Sequence, residues 1–171
     1  MVFLFQSATF SAIILASVTA DAISRIFLGS TPTFIIQNLS IVSFDKIYLY
    51  AILGILAGGL SILFIRYSGL LSNFLKKDFF DAVPKWALMA FVGLLVGTAG
   101  YFYIDIFGIG YEAINKILAS SLSWKIVLVL LLLKFFLVPL ILQSGGFGGI
   151  FAPSLFMGAT FGYLFALIVN A

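Results

Sequence analysis

Residues 143–154 read Gln143-Ser144-Gly145-Gly146-Phe147-Gly148-Gly149-Ile150-Phe151-Ala152-Pro153-Ser154, with four glycines in five positions set between two apolar runs. A glycine in a helix interior costs about 1 kcal/mol relative to alanine. Inside a bilayer, every backbone group that a broken helix releases must also find another partner. The stretch therefore predicts an opening in the helical pattern, with Gly149 needing the conformational freedom of glycine. A helix that resumes near Ile150 or Phe151, with Pro153 in its first turn where the missing N–H does no harm, points unpaired backbone N–H groups back at that opening. The positive end of the helix dipole adds to them, so the chemistry offered is that of an anion site whose donors carry no full charge. Two readings fit this pattern equally. One is a half-helix binding site of the kind transporters build near the membrane midplane; the other is a glycine-lined turn that lets two helices pack closely.

Other chemistries are poorly supplied. The chain has no histidine and no cysteine, so a serine–histidine dyad, a zinc site and thiol chemistry all lack their parts. Residues 145–149 do not complete a Walker pattern, and Asp21 and Asp105 lack the flanking residues of an aspartyl intramembrane protease. The expectation is no enzyme, no catalytic residue, no metal and no cofactor. The net charge of +3 is slight, and its mixed surroundings give no reason to expect a nucleic-acid partner.

The elements that must position the break are membrane helices. With 63% hydrophobic and 9% charged residues, 171 residues could not cover a core in water, so the chain reads as an integral, multi-pass membrane protein with the lipid bilayer as its solvent. Its apolar runs are continuous rather than alternating, which predicts helices and not a β-barrel. No basic segment precedes the first run, and no signal peptide is expected.

The first span covers residues 9–28 and carries Asp21 and Arg25 at i, i+4, read as a charge pair near the helix end rather than a functional carboxylate. Residues 29–46 form a loop. A second, long span covers residues 48–66 and continues to residue 75; Gly54, Gly58 and Gly59 should admit a neighbouring helix. The connection that follows, with Arg66, Lys76, Lys77 and Lys85, holds more basic residues than the loops at 29–46 and 105–125, which predicts that it faces the cytoplasm. The third span covers residues 86–104, with Gly93, Gly97 and Gly100 at helix-packing spacing. Residues 113–118 are too few to span and read as a re-entrant or surface helix. Spans at 124–142 and 151–169 flank the break, the first kinked at Pro139. Lys134 lies in mid-span. Either it faces an aqueous vestibule leading to Gly145, Gly146, Gly148 and Gly149, or it snorkels toward Trp124, about three turns away.

Within this frame, Gly149-Ile150-Phe151-Ala152-Pro153, set in Ser144-Gly145-Gly146-x-Gly148-Gly149-Ile150-Phe151-Ala152-Pro153-Ser154-Leu155-Phe156-x-Gly158-Ala159, closely resembles the G-x-F-x-P signature of the ClC family of chloride channels and chloride/proton antiporters. Gly108-x-Gly110-Tyr111-Glu112 is similar to the family's G-x-G-Y segment, and the order of helices agrees. The resemblance implies an all-α, polytopic fold: a partial ClC-type inverted-repeat transport domain over residues 1–171, with a broken or re-entrant helix, corresponding to the end of family helix H through helix N. It implies chloride as ligand and partner, held by the backbone amides of Ile150 and Phe151 beside Gly149, with Gly145, Gly146, Gly148 and Lys134 lining the approach. It also implies a homodimer whose face includes the first span, in a cell or inner membrane. The family's G-S-G-I-P and G-R-E-G-P segments and its late tyrosine have no counterpart here. The position of its internal proton-transfer glutamate falls near Phe5, so voltage-gated channel and antiporter both remain open. The alternative is a non-transporting membrane fragment or scaffold whose glycines serve packing.

Overall fold

The computed structural model describes residues 7–29, 33–34, 46–75 and 84–170. Among them there are helices and turns but no strand, and five helices are long and apolar enough to cross a membrane. The protein is an all-helical, integral multi-pass membrane protein. It divides into two units, Met1–Thr33 and Phe34–Ala171.

The first unit holds α1, Ser7–Leu28. Its side chains from Phe10 to Phe27 are all exposed, as suits a helix whose solvent is acyl chain. Thr19 and the charged pair find partners within the helix: Thr19 Oγ1 donates to the Leu15 carbonyl at 2.8 Å, and Arg25 Nε donates to Asp21 Oδ2 at 2.8 Å. The expected i, i+4 pair is therefore present. Both of its side chains are open, so it contributes a few tenths of a kcal/mol at about the scale of exposed helix pairs.

The second unit begins its described helices with α2, Ile47–Leu75. Its 29 residues extend about 44 Å at 1.5 Å per residue, well beyond a hydrocarbon core of about 30 Å. The glycines at 54, 58 and 59 were expected to receive a neighbour, yet a Cβ at any of them would meet nothing within 4 Å. The helix instead packs through a row at i, i+4, i+7. Leu60 and Phe64 face Met157 and Phe161 across a small gap, and the rings of Phe64 and Tyr67 meet Phe135 at 5.6 and 5.8 Å. Large interlocking rings set this approach, which leaves the glycine side of α2 uncovered among the described residues. The loop read at 29–46 is described only at residues 29, 33, 34 and 46, and the basic run at 76–83 lies outside the described residues.

Next come α3, Lys85–Phe102, a 3-10 turn at Ile104–Ile106, and α4, Tyr111–Leu118. Of the three glycines expected to pack on α3, only Gly100 does so. A Cβ there would fall 1.9 Å from Phe107 Cζ, whereas Gly93 and Gly97 face open space. The neighbour is thus a ring folded back from the following turn, not another helix. Helix α4 is amphipathic: Ala113, Ile114 and Ile117 are buried, while Glu112 and Lys116 are exposed. Lys116 Nζ reaches Asp105 Oδ1 at 2.5 Å. The hydrogen bond and charge of Asp105 raise the Lys116 pKa above 10.5. Because the folded value is the higher one, the pair's contribution is fully present below the ordinary lysine pKa and is lost only as pH rises through the raised value.

Helices α5, Trp124–Gln143, and α6, Phe151–Asn170, return on one another, with Tyr163 Oη donating to the Leu122 carbonyl at 3.2 Å just before α5 begins. The core sits where the 3-10 turn, α4, α5 and α6 meet, built from Ile106, Ala113, Ile114, Leu130 and Phe156. It places the α3–α4 connection directly beside the start of α6.

Candidate anion site at the start of α6

The break begins with a complete helix stop. Gly145 adopts φ +99°, Gly145 N–H donates to the Leu142 carbonyl at 3.4 Å, and Gly146 N–H donates to the Ile141 carbonyl at 2.9 Å. This paired closure, with a left-handed residue after the cap, satisfies the last carbonyls of α5. Gly146 is held close against that turn: a Cβ would lie 2.7 Å from Ile141 Cγ2 and 2.9 Å from its carbonyl oxygen. Glycine is therefore required at 145 by torsion and at 146 by contact.

Gly149 is different. It has no left-handed φ, and a Cβ there would meet nothing within 4 Å; at Gly148 the nearest atom would be Leu142 Cδ2 at 3.8 Å. The expectation that Gly149 needs glycine's torsional freedom is thus corrected. What these two glycines leave is room, because both line a cavity of about 370 Å³ shared with Ala152, Pro153, Gly108 and Lys134.

Helix α6 opens on this cavity. Its first bond is from Ser154 N–H to the Ile150 carbonyl at 3.0 Å, and Ser154 Oγ donates to the same carbonyl at 2.6 Å. Pro153 has no N–H. Among the described residues, the N–H groups of Ile150, Phe151 and Ala152 donate to no backbone carbonyl, as expected of a helix's first turn. The side chains of Ile150 and Phe151 carry no hydrogen-bond donor, so only their backbone N–H groups can serve an anion.

Lys134 is the one charged residue among the buried side chains described, at 6% exposure. Its Nζ donates to the Gly108 carbonyl at 3.1 Å and lies 5.3 Å from the centroid of the Phe156 ring. The described ion pairs are Asp21 with Arg25 and Asp105 with Lys116; among the described residues Lys134 has no carboxylate partner. The Lys134 side chain turns to the α3–α4 connection and lines the cavity beside Gly148 and Gly149. Pro139 is buried inside α5, which continues to Gln143.

The structure thus brings Lys134, Gly148 and Gly149 together with the start of α6. Gly145 and Gly146 stand apart from that cavity, in the helix stop. Sequence reasoning missed the seat of Lys134. The Gly108-x-Gly110 spacing carried a signal, but as a helix start; its partnership with a lysine 26 residues later has no local signature.

Comparison with known proteins gives this geometry a family. The chain is 30% identical over 168 residues to chloride channel protein CLC-e of Arabidopsis thaliana, covering 95% of this chain and 24% of that protein. It is 32% identical over 167 residues to chloride channel protein CLC-f of the same plant, covering 92% and 21%. It is 28% identical over 165 residues to the H(+)/Cl(-) exchange transporter ClcA of Citrobacter koseri, covering 96% and 34%. The chain therefore spans about a fifth to a third of the length of these curated relatives. Residues 1–171 match the family model described as voltage gated chloride channel, and the chain belongs to that family.

Proposed function

We propose that this chain is part of a membrane domain that passes chloride, with the ion held at the start of α6 by the N–H groups of Ile150 and Phe151. The observation that carries this reading is Lys134: a buried ammonium with no carboxylate partner among the described residues, lining the same cavity as Gly148, Gly149 and the first turn of α6. A buried charge without a counterion is costly, and an anion in that cavity supplies one. Gly148 and Gly149 leave space instead of seating a neighbouring helix, which weighs against the packing-only alternative. Relatives named as channels and as an exchanger support transport over catalysis, with chloride as ligand. In the complete domain, α1 contributes to a homodimer face; this part of the reading rests on the family resemblance.

The test is calorimetric chloride titration of the longest natural polypeptide that carries this chain, with and without Ile150→Pro. Proline at 150 removes one donor to the ion. Losing a hydrogen bond to a charged partner costs about 1.5–3 kcal/mol, so affinity should fall by about ten- to a hundredfold. Ile150→Val, which keeps the amide, should change it little. A folded Ile150→Pro protein with unaltered affinity would rule out the helix-start site.

A further inference from the structure

We propose that Gly108 and Gly110 together form the positioning device of the anion site, holding the Lys134 ammonium from two sides; the inference rests on the anion reading above and deepens it. Gly108, at φ +65°, presents its carbonyl to Lys134 Nζ at 3.1 Å. Gly110, at φ +88°, does something different. A Cβ on it would lie 2.6 Å from Phe156 Cδ2, so the absence of a side chain is what lets this fully buried ring sit where it does. That ring is the aromatic group 5.3 Å from the same Nζ.

The two glycines therefore act on one atom by separate routes, a direct hydrogen bond and a ring seated by a missing methyl. An ammonium has three donors; one is engaged at Gly108, and the aromatic face stabilises the cation without consuming its charge. Lys134 is thereby fixed where it lines the cavity, with charge left for an anion. Both glycines are in left-handed torsions that other residues adopt only at a cost, so the segment is stiffly specified. Gly108 and Gly110 are positioning residues: neither needs to touch the ion.

A double-mutant cycle separates this role from a merely structural one. Chloride affinity is measured by calorimetry in the longest natural polypeptide carrying this chain, for wild type, Gly110→Ala, Lys134→Met and the double variant, with thermal unfolding recorded for each. Gly110→Ala should displace the ring and weaken chloride binding by about tenfold, the scale of a desolvated cation–aromatic contact. In the Lys134→Met background it should weaken binding by less than about twofold, because the group it positions is gone. Its effect on the unfolding temperature should persist in both backgrounds.

If Gly110→Ala does not fold, Phe156→Leu takes its place, removing the aromatic face with glycine kept. Equal losses of affinity in both backgrounds, or no loss in either, would overturn the positioning role. Should Lys134→Met weaken binding while Gly110→Ala and Phe156→Leu do not, the positioning proposal fails and the anion site stands. No chloride binding in wild type overturns both.

Discussion

Lys134→Met is expected to weaken chloride binding by about ten- to a hundredfold, the loss of a charge-assisted contact. The same substitution should leave the fold no less stable. Methionine keeps the length and apolar stem of the side chain, and the bond lost to the Gly108 carbonyl is offset by no longer burying an ammonium that has no carboxylate partner among the described residues. Most core substitutions harm stability and binding together; this one should divide them. Lys134→Arg, which retains the charge, should recover part of the affinity. Calorimetric titration alongside thermal unfolding reads both quantities. Unchanged affinity in a folded Lys134→Met protein would remove this residue from the site.

Phe156→Ala should have the largest effect on stability, about 3–5 kcal/mol. Phe156 is fully buried and belongs to the core cluster with Ile106, Ala113, Ile114 and Leu130. In a bilayer the usual hydrophobic driving force between helices is absent, since lipid tails are as apolar as the core. What the truncation loses is contact: the lining atoms of the void forfeit their dispersion partners and the surroundings relax only in part. Reversible unfolding in mixed micelles measures the change. A loss below about 1 kcal/mol would mean that the junction of α4, α5 and α6 collapses onto the space, and that the ring does not organise the core.

The same ring explains where sequence reading succeeds and where it stops. Long apolar runs fixed the number and place of the membrane helices to within a few residues, because a bilayer demands continuous apolar segments and closed backbone hydrogen bonding. Four glycines in five positions located the break for the same reason. Their individual roles were not legible. Gly145 and Gly146 close α5, whereas Gly148 and Gly149 line a cavity, and nothing in the order of the letters separates these tasks. The glycines of α2 and α3 show the same limit. Spacing shows which residues share a face, but whether a neighbour arrives depends on the rest of the fold. Only Gly100 met one, and that was the ring of Phe107.

Lys134 shows the limit most clearly. Its position in mid-span marked it as unusual, yet two placements fitted. The deciding partner is a backbone carbonyl at Gly108, and backbone carbonyls have no signature in a sequence. The seat needs α4 folded against α6, with Gly110 bare enough to admit Phe156. That arrangement is a property of tertiary packing.

The most direct test of the account is chloride efflux from liposomes containing the longest natural polypeptide that carries this chain. Chloride release should be well above that of protein-free liposomes, and should fall by about tenfold or more when Lys134 is replaced by Met. Efflux from liposomes bearing the folded wild-type protein that equals the protein-free rate would contradict it.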